Sequence, residues 1–249
     1  MADNPAKLKG KRAIVTGAAK RIGREIALNL AREGMNVAIT FNASEREARK
    51  TVAELAAFGV RALAIRCNVR EERSIKAMIA EARKALGGID LLINNAAIYE
   101  TAAFDKLTAA QWDNMFATNA RGPFLVAKHA AKDLRRSKGR IINIGSLGGL
   151  RPWATHAHYC ASKAALHTLT QAMAKAYAPE IVVNCIAPGM IEAPEDRGTK
   201  HARHFAAKTP MARNGTAEDV AEMVRLLAIA PRFVTGQIIA VDGGLGLAT

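Results

Sequence analysis

Carboxylates are in short supply in this chain: 22 Asp and Glu stand against 36 Lys and Arg, a formal charge of +14 and a pI near 10.1. That balance favours anionic partners, whether phosphates, acidic proteins or nucleic acid. Aromatics are also scarce, at 5%, which leaves few rings on which bases could stack. The basic residues are spread out, with only short clusters such as Lys132, Arg135, Arg136 and Lys138. Nucleic acid is therefore not expected as a main partner; a basic surface that attracts anionic substrates is. Only three cysteines are present, Cys67, Cys160 and Cys185, with no close spacing. Neither a disulfide framework nor a zinc site is expected, and the thiols read as reduced and buried. No apolar run approaches the roughly 20 residues of a membrane span. Met1 to Arg12 is polar and lacks a signal core. A soluble, cytoplasmic protein without a membrane partner is expected.

What the sequence does contain is an alternation of short apolar runs and amphipathic stretches. Arg12 to Thr16 reads as a strand that Gly17 breaks, and the stretch runs on through Ala18, Ala19, Lys20, Arg21, Ile22 and Gly23. A helix follows, with Ile22, Ile26 and Leu30 at helical spacing. Strand, glycine turn and helix together are the setting of a phosphate-binding loop. Gly17 permits the tight turn, Gly23 the close packing of helix on strand, and the helix N-terminus offers unpaired N–H groups to a pyrophosphate. The second strand ends at Thr40-Phe41-Asn42-Ala43-Ser44, with no carboxylate before Glu45. An acid there would hold ribose hydroxyls and repel a 2′-phosphate. Asn42, Ser44 and Arg46 could instead donate to one, with Lys20 and Arg21 adding charge. NADP(H) is expected over NAD(H). Phe41 either packs on the adenine or fills the core.

Helices are expected over 44–57, 71–86, 111–136 and 158–178, with strands over 61–66, 89–93, 140–145 and 181–186. Strands separated by helices imply a parallel sheet covered on both faces. No repeat, low-complexity segment or linker interrupts the chain. The expected architecture is a single α/β, doubly wound Rossmann-type domain over 1–249, with a sheet of about seven strands.

Within this frame, Tyr159 and Lys163 stand four residues apart on a helix and so share a face. A cation beside a phenol favours the phenolate and is expected to bring its pKa of about 10 toward the working range. Ser146 lies thirteen residues before Tyr159, just after the apolar run Ile141 to Gly145. A hydroxyl at a strand's C-terminal end is where open α/β sheets place their ligands.

Taken together, Thr16-Gly17 to Gly23, Asn94-Asn95-Ala96-Ala97, Asn119, Ser146, Tyr159 to Lys163, Pro188-Gly189 and Val241 to Gly244 resemble, in order and spacing, the short-chain dehydrogenase/reductase family over about 9–247. The resemblance implies a reductase with Ser146, Tyr159, Lys163 and Asn119 as catalytic residues. Tyr159 would protonate the substrate oxygen and Ser146 would orient it. Lys163 would hold the nicotinamide ribose and lower the Tyr159 pKa. Asn119 would hold a relay water, or act only as a capping or kink-filling amide. The cofactor would meet Gly17, Lys20, Arg21, Ile22, Gly23, Asn42, Ser44, Asn68, Val69, Asn95, Ala96, Tyr159, Lys163, Pro188, Gly189 and Ile191. Four positions depart from the pattern. Arg21 replaces a middle glycine, as in pteridine-reductase-like members where the arginine can sit beside the phosphates. Asn68 stands for a common Asp, Ala97 for a glycine, and Ala193 for a threonine that holds the carboxamide.

Substrate contacts are expected from Ser146 and Tyr159 and from Trp153 and His156, with Tyr99 also in reach; the last three serve equally well as packing residues. The segment 190–212 reads as a mobile substrate lid or as an ordered surface helix. His201 and His204 have no third ligand, so no metal is expected. Thr216 to Asp219 reads as an N-cap with acids in the first turn. The resemblance also implies a homo-oligomer, dimer or tetramer, and a small-molecule or carrier-bound carbonyl substrate, closest to 3-oxoacyl-carrier-protein reductases. Pteridine reductase and sugar or polyol dehydrogenase are the enzymatic alternatives. An NADP-sensing regulator is the non-catalytic one.

Overall fold

The computed structural model describes residues 8–247. The polar stretch from Met1 to Lys7, the start of the Met1–Arg12 reading, lies outside the described residues, as do Ala248 and Thr249. Seven strands form one parallel sheet: β1 (Arg12–Val15), β2 (Asn36–Phe41), β3 (Ala62–Arg66), β4 (Leu91–Asn94), β5 (Arg140–Ile144), β6 (Val182–Pro188) and β7 (Ile238–Val241). Their spatial order is β3-β2-β1-β4-β5-β6-β7. Central strands such as Leu91–Asn94 and Val182–Pro188 are buried throughout. That is why they read as unbroken apolar runs instead of alternating ones.

Helices cover both faces. The first face carries α1 (Arg21–Arg32), α2 (Glu45–Ala56) and α8 (Ala217–Ile229), whose Ile26, Leu30, Leu55 and Val224 meet Val15, Ile39 and Ile93. On the other are α3 (Glu72–Leu86), α5 (Gly122–Ser137) and α6 (Ala157–Tyr177), where Ile75, Met78, Val126 and Met173 pack on Ile14, Leu92 and Val183. α4 (Ala109–Phe116) precedes α5, and α7 (Lys200–Lys208) lies within 190–212. The stretch expected as one helix over 111–136 is divided by a π-type turn at Ala117–Arg121. Thr216 does cap α8, in a reciprocal box with Asp219.

Strand order reverses between β1 and β4, which register through Ala13–Leu91 and Val15–Ile93. At such a switch point the loops leave in opposite directions and open a crevice beyond the strands' C-terminal ends. Three bonds brace its floor. Thr16 Oγ1 accepts from the N–H groups of Asn95 and Ala96, both at 3.0 Å, and Thr40 Oγ1 accepts from Gly17 N at 3.1 Å. Gly17 has φ +64°, and a Cβ there would stand 2.8 Å from Ala96 Cα; a Cβ on Gly23 would stand 2.5 Å from Asn95 Nδ2 and 2.7 Å from Gly17 O. Gly23→Ala is therefore expected to lower stability by about 1–3 kcal/mol, the usual penalty of overpacking. Thermal unfolding followed by circular dichroism checks it; an unchanged midpoint would show that the helix is free to retreat.

Candidate active site

The crevice divides into a loop half and a helix half. The loop half is a cleft of about 580 Å³ that includes Gly17, Lys20, Arg21, Ile22, Gly23, Asn42, Asn68, Val69, Asn95 and Ala96. Its lining contains three cations, Lys20, Arg21 and Arg70, and among the described residues no carboxylate. The N-cap of α1, Lys20, makes no side-chain cap bond and the first turn holds no acid. A twelve-residue helix thus presents unclaimed N–H groups and its positive end to a cation-lined cleft, which fits a pyrophosphate-bearing group.

Not every residue expected around that group faces it freely. The Asn95 side chain donates to the carbonyls of Thr16 (2.9 Å) and Gly17 (3.0 Å), so it holds the turn in shape. The amide of Asn68 donates to Glu71 Oε1 at 2.6 Å and its Oδ1 accepts from Arg70. Arg21 lines the cleft and also makes a pair beyond it. Its guanidinium donates to Glu195 Oε1 at 2.8 Å, in the segment 190–212. Its backbone φ of +55° explains the tolerance for glycine at this position. Phe41, at the end of β2, packs into the core and also lines the cleft. Ser44 is the N-cap of α2 and lies outside the cleft lining. Pro188, Gly189 and Ile191 also lie outside it, at the C-terminal end of β6 and just beyond, where Ile191 bridges to Gly215.

The helix half is built by β5 and α6. Ser146 lies two residues past Ile144, the last residue of β5, is buried, and accepts from Gly148 N at 3.1 Å, which orients its hydroxyl at the strand end. It also stands near enough to the Tyr159 phenol to lower its pKa. Lys163, 3% exposed, donates from Nζ to Ile144 O at 2.8 Å, and Nζ stands 5.8 Å from the centre of the Tyr159 ring. The three expected catalytic side chains therefore converge. Asn119 supports them from behind. Its Oδ1 accepts from Ile98 N, and its Nδ2 donates to Ile98 O and to Ser162 Oγ at 3.2 Å. Its side chain lies in the π-type turn, an insertion common at functional positions.

The electrostatics differ from the sequence expectation. Burial pushes the Tyr159 phenol up to about 12, against the lowering effect of Ser146, with Tyr99 and Cys160 adding to the rise. Burial also takes Lys163 down, to about 8. The lysine does not dominate the phenol because desolvation favours the neutral form of both groups. The tyrosine accordingly holds its proton at neutral pH.

Around Tyr159 stand Tyr99, edge-on at 4.9 Å between ring centres, and Trp153, nearly parallel at 6.3 Å. His156 stacks on Tyr99 at 4.7 Å, and its two ring nitrogens lie 3.0 Å from Thr101 Oγ1 and 2.9 Å from Thr155 Oγ1. Both nitrogens are thus engaged within the protein, so His156 serves the wall; the expectation of a direct substrate contact finds no free polar atom. Among the described residues no group of three metal-binding side chains gathers, and no helix is long and apolar enough to cross a membrane.

With this geometry in hand, comparison with known proteins is informative. A family model described as enoyl-(acyl carrier protein) reductase matches residues 17–246. A 3-oxoacyl-[acyl-carrier-protein] reductase of Staphylococcus aureus is 37% identical over 240 residues, 94% of this chain and 98% of that protein. A short-chain dehydrogenase/reductase of Hericium erinaceus is 36% identical over 93% of this chain and 96% of its own length. The chain belongs to the short-chain dehydrogenase/reductase family. A crystal structure of a short-chain dehydrogenase from Burkholderia cenocepacia in complex with NADP superposes with a TM-score of 0.90 at 35% identity, covering 96% of this chain and 99% of that one.

As a member of that family the protein is an oxidoreductase, and some residues that shape its site carried no sequence signal. Thr16 and Thr40 look like ordinary strand ends until Gly17 and Asn95 are seen to hang from them. His167, one turn beyond Lys163, is buried against Gly145 and Gly149 and pushed down to about 4 by burial and by Lys163. Only the four-residue step from Lys163 hinted at it.

The buried ammonium has a measurable signature in this reductase. Lys163 binds its proton less tightly folded (about 8) than in its ordinary state (10.5). Below pH 8 the folded state therefore carries the full penalty, on the order of 3 kcal/mol, and the penalty fades as pH rises from 8 to 10.5. Lys163→Met is expected to gain several degrees of melting temperature relative to the parent at pH 7 and to lose that relative gain by pH 10. Paired melting curves at the two pH values test this; a constant difference would mean that the lysine is not held in the state described.

Proposed function

We propose that this protein is an NADPH-dependent carbonyl reductase that converts a ketone to a secondary alcohol, with 3-oxoacyl thioesters as the first substrate class to try. The observation that carries the reading is the convergence of Ser146, Tyr159 and Lys163 at the end of β5, beside a cleft lined by cations and no acid.

Residues around Gly17 to Gly23, with Lys20 and the N-terminal N–H groups of α1, would hold the pyrophosphate. Asn42 and the carboxylate-free end of β2 favour a 2′-phosphate, which supports NADP(H) over NAD(H). Bound NADPH supplies a hydride, two electrons and a hydrogen nucleus, to the carbonyl carbon. Tyr159 gives its proton to the oxygen as the C=O π pair collapses onto it, so the products are the alcohol and NADP⁺. Ser146 directs a hydroxyl at the same oxygen. The ammonium of Lys163 stabilises the phenolate left behind, and Asn119 fixes the segment through which solvent returns the proton. The lid reading of 190–212 is supported by its exposure and by its pairing to the loop half through Arg21 and Glu195. The pterin alternative drew on Arg21 lying beside the phosphates, and that guanidinium faces Glu195. The S. aureus relative is named for a carrier-bound substrate, and a +14 surface suits an acidic carrier. Exposed Trp112 and Phe124 on α4 and α5 suit a homo-oligomer interface, so light scattering should return a dimer or tetramer.

Loss of NADPH absorbance with β-ketoacyl thioesters, pterins and sugars tests the reading. NADPH is expected to surpass NADH at least tenfold in kcat/KM. Tyr159→Phe removes the proton while keeping the ring, and kcat should fall by about 10²-fold or more, the scale of a positioned acid, with NADPH binding retained. Undiminished turnover in that variant would remove Tyr159 from the chemistry.

A further inference from the structure

Aromatic residues are scarce in this chain, yet three of its five Trp and Tyr side chains, Tyr99, Trp153 and Tyr159, meet at one point. Tyr99 is the least obvious of them. It is 59% exposed, an uncommon position for a large ring. It is nevertheless fixed from behind. His156 stacks on it at 4.7 Å with an interplanar angle of 23°. His156 is itself clamped by the hydroxyls of Thr101 and Thr155, and the two loops are joined again where Ala102 N donates to Thr155 O at 3.0 Å. His156 thus covers one side of the Tyr99 ring, a T-shaped contact sets its position against the catalytic phenol, and more than half of its surface stays exposed. Trp153 lies nearly parallel to Tyr159 on another flank.

A ring held in this way binds flat π systems well. Little side-chain freedom is lost on stacking, and an offset or edge contact between aromatic groups adds to the apolar area buried. The distance from the Tyr99 ring to the Tyr159 ring, 4.9 Å between centres, restricts which part of a substrate can lie there: the group attached directly to the reacting carbonyl. From this we infer that the enzyme prefers ketones in which a planar conjugated ring is bonded to the C=O carbon, with Tyr99 as the specificity-determining platform. The inference rests on the carbonyl-reductase reading and adds a substrate class to it.

A matched pair of ketones isolates the effect: acetophenone and cyclohexyl methyl ketone have the same carbon skeleton, and only the first carries a flat ring. NADPH oxidation is measured with both, and with a straight-chain β-ketoacyl thioester, for the parent protein and for Tyr99→Ala, Tyr99→Leu and Tyr99→Phe. The ratio of kcat/KM for acetophenone over cyclohexyl methyl ketone is expected to fall about threefold to tenfold in the Ala and Leu variants, through KM, the range of one aromatic contact. Tyr99→Phe keeps the ring and should keep the ratio. Circular dichroism establishes that the variants are folded; at so exposed a position their melting temperatures should match the parent. An unchanged ratio in both Ala and Leu variants overturns the inference, as does a fall in Tyr99→Phe equal to theirs, which would assign the effect to the hydroxyl. If the parent reduces the thioester but neither ring ketone, the inference fails and the functional reading stands. If it reduces none of the three, the functional reading fails and takes the inference with it.

Discussion

One buried ammonium sets the layout of the site. Lys163 is almost wholly withdrawn from water and donates to the carbonyl of Ile144, the last residue of β5. That bond ties the second turn of α6 to the C-terminal end of a central strand. It therefore fixes how the helix sits on the sheet and where Tyr159, one turn earlier, places its phenol. Ser146 lies two residues past the same carbonyl, so strand end, hydroxyl and phenol are positioned by one local arrangement. Burying a charge with a carbonyl as its hydrogen-bond partner and no carboxylate is unfavourable. The surrounding apolar core, with Ile142, Ile144 and Ile186 packed on one face of the sheet and Met173 and Val183 on the other, supplies the rigidity that holds it.

The loop half depends on the same sheet by a different route. Where the order of strands reverses between β1 and β4, the backbone beyond each strand must be held by something other than a neighbouring strand. Thr16, Thr40 and Asn95 do this with side-chain bonds to main-chain groups. The glycines can then approach other backbone closely, and the helix behind them is left with its amides unclaimed. Arg21 connects this half to the segment 190–212 through Glu195. Both side chains are largely exposed, so the pair contributes little to stability.

Much of this was legible from the chain alone. Strands buried on both faces leave long apolar runs, and the helices between them carry their apolar stripe at a period of 3.6, so a parallel sheet covered on both faces followed from pattern. The four-residue step from Tyr159 to Lys163 followed from helix geometry. What was not legible depends on partners distant in sequence. Arg21 and Glu195 are 174 residues apart, and nothing near either one announces the other. Asn68 gave no sign that Glu71 and Arg70 would engage its amide. The π-type turn at 117–121 has residues that a regular helix would accept; the widening accompanies the grip of Ile98 on Asn119, a contact across 21 positions. Acidity was the plainest miss. A lysine beside a tyrosine suggests a lowered phenol, but the sequence does not show how dry the pair is, and dryness wins.

On the proposed reading, in which Tyr159 is the acid and Lys163 its cation, that dryness bears on how proton transfer would work. Burial moves Tyr159 up and Lys163 down, so the pocket disfavours charge on either. A phenol lowered to neutrality would stand partly ionised before substrate arrived, and an ionised tyrosine has no proton to give. A raised one stays loaded. Its reluctance to ionise is no obstacle, because the oxygen that receives the proton is becoming an alkoxide, a stronger base than any phenolate. The demand for a cation arises only after transfer, when negative charge sits on Tyr159. Lys163, still mostly protonated at neutral pH with a value of about 8, is then the nearby positive charge, acting through a medium of low dielectric where Coulomb attraction is strong. Ground state and product state thus call on different members of the trio, and the interaction that is weak before the reaction strengthens as the reaction proceeds, as selective stabilisation of a transition state requires.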